Sequence, residues 1–129
     1  MPVPTNITYH KQSRVLDVAL DDGRSYQLPA EYLRVFSPSA EVQGHGASET
    51  KLVSGKREVG IKQIEPVGHY AVRLHFDDGH NTGLYSWSVL IDLGENQEDN
   101  WSEYLARMQD AGMSREKGSA MPLSALLKS

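Results

Sequence analysis

The chain has 129 residues, 39% of them hydrophobic and 23% charged, with a net charge of −4 and no cysteine. That is enough for one domain with a modest core. It excludes a disulfide framework, thiolate metal ligands and a cysteine nucleophile, and the acidic balance without a basic stripe argues against nucleic acid as partner. No run approaches the roughly 18 apolar residues of a membrane span, and the start MPVPTNITYHKQ lacks the pattern of a signal peptide, so the expected location is cytoplasmic.

In chain order, the Pro-rich residues 1–6 read as loose and Ile7 to Gln12 as an edge strand. Arg14 to Leu20 alternates, with Leu16, Val18 and Leu20 on one face. Asp21-Asp22-Gly23-Arg24 is then a hairpin turn, because Asp and Gly tolerate the positive φ of tight turns. Ser25 to Leu28 returns with Tyr26 and Leu28 inward, Pro29 opens a short helix over Ala30 to Phe36, and Pro38 stops it. Residues 37–57 are rich in Ser, Gly and charge without any period, and read as one long loop.

Order resumes at Glu58 to Glu65, a strand that Pro66 is expected to break. Gly68 to Phe76 is the clearest strand, with Tyr70, Val72, Leu74 and Phe76 sharing one face and His69, Ala71, Arg73 and His75 the other. A second hairpin follows at Asp77-Asp78-Gly79. Ser86 is a good N-cap for a helix from Trp87 to Leu93, with Gly94 as its stop. Asn96 is expected to cap a final helix over residues 97–111. There Trp101, Tyr104, Leu105 and Met108 form an amphipathic stripe, and Gly112 ends it. Residues 1–112 thus make one domain, and 113–129 read as a flexible tail.

The stretch Leu74 to Leu90 repeats the order of Val18 to Leu33: strand, Asp-Asp-Gly, strand, short helix. Asp21, Asp22, Gly23 and Leu28 align on Asp77, Asp78, Gly79 and Leu84 at a constant offset of 56 residues. Two hairpin-plus-short-helix units and a C-terminal amphipathic helix predict an α+β domain with a small mixed or antiparallel sheet.

The candidate chemistry gathers between His75 and Tyr85. His75-Phe76-Asp77 matches half of a two-histidine, one-carboxylate iron site, but the only downstream histidine, His80, stands across a tight turn. His75, Asp77, Asp78 and His80 are close enough in sequence to surround a divalent ion, or Asp78-Gly79 is simply the turn. No Gly-x-Ser-x-Gly elbow or phosphate loop is present, and Tyr85, Trp87, Trp101 and Tyr104 read as core before ligand pocket. No catalytic set assembles.

The run DDGH-x-T-G-x-YSW-x-x-L from Asp77 to Leu90, then LGENQ and the W-x-x-YL helix, resembles the gamma-butyrobetaine hydroxylase-like N-terminal domain. So do LDDG…LPAEYLRVFSPSAEV from Leu20 to Val42 and VGIKQIEPVGHYAVRLHF. The resemblance covers about residues 5–112 and implies a small α+β domain. In eukaryotic oxygenases the similar domain is accessory to a catalytic barrel and holds a structural zinc through three cysteines and one histidine. The corresponding positions here are Ser37, Ser39, Val42 and His80, which implies that the zinc is lost, since hydroxyl and valine do not replace thiolate. The same kind of domain occurs fused to iron-sulfur cluster carrier ATPases. The resemblance therefore implies a non-enzymatic module without cofactor, binding a protein partner, with His75, Asp78, His80 and Tyr85 as candidate interaction surface. The alternative is a small-molecule or metal-binding protein using the His80 hairpin.

Overall fold

The structure is a computed structural model, and it describes residues 2–38, 52–81 and 83–116. The loop assigned to residues 37–57 and the tail assigned to 113–129 fall partly outside these. So do Ser39 and Val42.

Two antiparallel three-stranded meanders form the frame. In the first, β1 (Pro4–His10), β2 (Val15–Leu20) and β3 (Ser25–Pro29) pair in sequence order and lead into α1 (Ala30–Val35). In the second, β4 (Ile61–Val67), β5 (Ala71–Phe76) and β6 (Leu84–Ser86) do the same and lead into α2 (Trp87–Glu95). The helix α3 (Gln97–Ala111) follows directly. The α+β class, the two hairpin-plus-helix units and the C-terminal helix are as the sequence predicts, with two separate sheets in place of one.

The alternation in β2 and β5 explains the core. Leu16, Val18 and Leu20 from β2 meet Val72, Leu74 and Phe76 from β5 in one buried cluster, closed by Leu28, Leu33, Tyr85, Leu90 and Leu93. Burying a side chain of this size contributes about 1.5–3 kcal/mol. A second, smaller cluster joins Val35 to Tyr104 and Met108, with Leu52, Val53 and Met113 packed against it. Of the predicted α3 stripe, Tyr104 and Met108 are buried, Trp101 is half-buried and Leu105 is exposed.

Several local expectations are corrected. Pro4 already belongs to β1 rather than to a loose start. Pro66 does not break β4 but sits inside it opposite Val72; β4 is an edge strand, where a missing N–H is tolerated. The next strand begins at Ala71, because Gly68 (φ 57) turns the chain there, and Tyr70 is 55% exposed instead of facing the core. Gly94 does not stop α2, which runs to Glu95; it is the point where α2 lies against the Tyr26 ring. Asn96 precedes α3, but its side-chain amide bonds back to Asp92 at the C-terminal end of α2 and makes no cap for α3. Ser86 does cap α2, its hydroxyl accepting from the Val89 backbone N–H at 3.2 Å.

Residues 113–116 are tied to the body. Ser114 and Arg115 carbonyls accept from the backbone N–H groups of Gly55 and Arg57, at 2.8 and 2.9 Å. Leu52 to Arg57 thereby lies against residues 114–115 as well as against α3, where the Val53 carbonyl accepts the Tyr104 hydroxyl at 2.7 Å.

A polar corner at the second hairpin

The Asp77–Gly79 turn is built as its residues require. Gly79 has φ 92, and the Asp78 carboxylate accepts the His80 backbone N–H at 3.0 Å, an Asx turn. The other carboxylate oxygen of Asp78 is claimed from two directions. Arg34, in the last turn of α1, donates Nε–H at 2.9 Å, and Lys56 donates at 2.6 Å. All three side chains are mostly covered, at 20% exposure for Asp78, 14% for Arg34 and 21% for Lys56. Burial alone would raise the Asp78 carboxyl above its ordinary range. The hydrogen bonds from Lys56, the His80 backbone and Arg34 outweigh it and hold the group at about 2.

Beside this cluster, the Ser37 hydroxyl and His80 Nε2 share a hydrogen bond of 2.9 Å. The His80 ring also lies 6.0 Å from the Phe76 ring. Gly83 lets the strand pass this corner, since a side chain there would collide with the Ser37 hydroxyl and the Tyr85 ring. Tyr85 is fully buried and donates its hydroxyl to the Leu33 carbonyl at 2.5 Å; burial pushes its pKa up. It is a strut between β6 and α1, so its expected place on an interaction surface is corrected.

His75 is separate from this corner. It points from the opposite face of β5 and bonds Glu65 on β4 at 2.9 Å, with Arg73 alongside, and the His75 bond holds the Glu65 carboxyl below its ordinary value. Of the two readings open for His75, Asp77, Asp78 and His80, the structure shows the turn rather than the four gathered round one ion: His75 is bonded to Glu65 on β4, whereas Asp78 bonds Arg34 and Lys56 and His80 bonds Ser37. Asp78 and His80 come together with residues that sequence reasoning passed over as partners: Arg34, seen only as part of a helix, and Lys56, hidden in a segment without period.

Chemically, the corner is a closed network. Asp78 holds no proton to donate at neutral pH, and its oxygens are occupied by Arg34, Lys56 and a backbone amide rather than by an imidazole. Asp78 is thus not a carboxylate that orients His80 as the base of a nucleophilic triad. As a zinc position the corner fits poorly. A neutral hydroxyl stands beside the histidine, and two cations stand beside the neighbouring carboxylate. Among the described residues no group of three His, Cys, Asp or Glu side chains is placed to hold a metal ion.

A duplicated three-strand-and-helix frame with such an internally paired corner is a small α+β module. The chain belongs to the gamma-butyrobetaine hydroxylase-like, N-terminal family, whose model matches residues 7–91. It is similar to a protein solved by NMR in solution with 52% identity and a TM-score of 0.80, over 91% of this chain and 87% of that one. A second solution structure shares 45% identity at a TM-score of 0.80, over 95% and 96% of the two chains. A crystal structure from Acidithiobacillus ferrooxidans shares 42% identity at a TM-score of 0.60, over 70% and 91%; it is described as a protein of unknown function in the DUF971 family. No curated protein matches the chain.

Proposed function

We propose that the chain is a non-catalytic binding module that acts by docking onto a protein partner, and that the zinc position of the domain it resembles has been lost. The observation that supports this reading is the state of Asp78. The most strongly perturbed carboxylate at the candidate site is spent on holding Arg34 of α1 and Lys56 to the second hairpin, and so serves shape rather than proton transfer. The Ser37–His80 hydrogen bond supports the second part, since it fills with a neutral contact the place where the resemblance puts a cysteine and a histidine. The reading takes the module as cytoplasmic, in keeping with described helices none of which is long and apolar enough to cross a membrane. No specific observation favours a metal or small molecule at the His80 hairpin.

The test is affinity capture by the full-length chain, followed by reconstitution of the pair from purified components. A protein that is enriched over an unrelated control domain of similar size and binds again when purified supports the module. Failure to recover any such protein from a native extract sinks it.

A further inference from the structure

A cleft opens beside the start of α1. It has a volume of about 740 Å³ and lies between the start of α1, the α2–α3 junction and the chain after α3. Its lining includes Glu31, Tyr32, Glu95, Glu98, Trp101 and Arg115, so carboxylates outnumber cations three to one. Among the described residues Glu31 is the one buried charged side chain.

A guanidinium already occupies part of this cleft. Arg115 donates from Nε and from a terminal nitrogen to the two oxygens of Glu31, both at 2.7 Å, and its guanidinium carbon lies 5.3 Å from the centre of the Trp101 ring. A planar cation held in a bidentate fork and laid on an indole face is the arrangement by which proteins recognise arginine rather than lysine. The seat itself is rigid. Tyr32 is buried, its hydroxyl bonded to the Leu93 carbonyl and to the Asn100 amide, and its ring meets Trp101 edge-on at 6.2 Å. Arg115 comes from the short segment after α3, whose attachments include Met113 against the second cluster, two backbone hydrogen bonds and the exposed Arg57–Glu116 pair.

We propose that this cleft is a receptor for an arginine side chain presented by a partner protein, and that Arg115 is its internal occupant, which the partner displaces. The proposal rests on the module reading and names the chemistry of its partner. Because the seat is filled from within, the apparent affinity for an external arginine is reduced by the fraction of molecules in which Arg115 is out.

The test uses the full-length protein and N-acetyl-arginine amide as probe, with the two indole N–H signals read by NMR. Trp101 lines the cleft; Trp87, whose indole N–H is bonded to the His69 carbonyl at 2.8 Å, serves as internal reference. In Arg115→Ala the Trp101 signal is expected to shift saturably while Trp87 stays still, with an affinity about tenfold or more above wild type. Glu31→Gln added to that variant is expected to remove the response, and N-acetyl-citrulline amide, neutral and of the same shape, is expected to give none. Should Arg115→Ala leave Glu31 too exposed to fold, Arg115→Lys keeps a cation there without the fork and is expected to bind the probe with intermediate affinity. A folded variant whose Trp101 signal ignores the probe, or answers citrulline equally, overturns the receptor. That result is independent of the capture experiment, where absence of a partner counts against the module alone.

Discussion

Asp78→Asn separates the charge of the corner from its shape. The amide oxygen can still accept the His80 N–H and keep the Asx turn, whereas Arg34 and Lys56 are left facing each other without a carboxylate. A carboxyl held at about 2 instead of 3.8 corresponds to roughly 2 kcal/mol of stability at neutral pH. The sign follows from the direction of the shift. As pH falls, the unfolded chain takes up this proton near 3.8 while the folded chain resists until about 2. The contribution is therefore complete above about pH 4 and fades between there and about pH 2. Urea unfolding followed by tryptophan fluorescence, at pH values of about 7, 5 and 3.5, measures it. The expected result is a gap of about 2 kcal/mol between wild type and variant at the two higher values, narrowing at the lowest. A variant as stable as wild type at pH 7, or a gap that does not shrink on acidification, would refute the assignment of the shift to this contact. Repeating the measurement in an Arg34→Met background should reveal coupling, since the two side chains share one hydrogen bond.

Substitutions at three further positions probe the frame. Tyr85→Phe removes the hydroxyl from the Leu33 carbonyl at full burial and should cost about 1–2 kcal/mol in chemical denaturation without altering the amide spectrum beyond that neighbourhood. Gly94→Ala, which in an ordinary helix would stabilise by up to about 1 kcal/mol, should instead lower the melting temperature, because the new methyl group is driven into the Tyr26 ring. Gly79→Val should destabilise by about 1–3 kcal/mol through backbone strain alone, as open space surrounds that position. Gly79→Asn, which tolerates positive φ, should recover a large part of the loss.

What was legible in the sequence was whatever is decided by neighbours in the chain. The period of two in β2 and in β5 from Val72 onward, the Asp-Gly turns, the Ser86 cap and the helical stripe of α3 apart from Leu105 are all local, and lie where the residues place them. The misreadings come from residues whose meaning depends on a distant partner. Pro66 looks like a breaker until β4 is known to be an edge. Gly94 looks like a stop until Tyr26, far away in sequence, is seen to need the space of a missing side chain. The candidate site divides in the same way. The Asx turn of Asp78 is written in three consecutive residues, but its cations arrive from positions 44 and 22 residues earlier. The Arg115–Glu31 pair spans 84 residues and leaves no local trace at all.

The duplication shows where the two units have diverged. Their turns match in detail at the same offset, and their outer strands at an offset one residue longer. Leu20 N–H bonds the Arg24 carbonyl at 2.8 Å, and Phe76 N–H bonds the His80 carbonyl at 2.9 Å. Both first strands slip register opposite the last residue of the second strand, between Pro4 and Asn6 and between Ile61 and Gln63. Both turns use an Asx bond, from Arg24 to Asp22 and from His80 to Asp78. The difference is the residue that follows the glycine. In the first unit Arg24 neutralises Asp22 within its own turn, through an exposed pair of 2.8 Å, and also reaches Glu95 at the end of α2 at 3.1 Å; exposed pairs of this kind contribute little. In the second unit that arginine is His80, which turns to Ser37, and the unanswered aspartate draws its cations from α1 and from the segment before β4. The two turns thus differ in where the aspartate finds its cation: in its own turn for Asp22, and in α1 and the segment before β4 for Asp78.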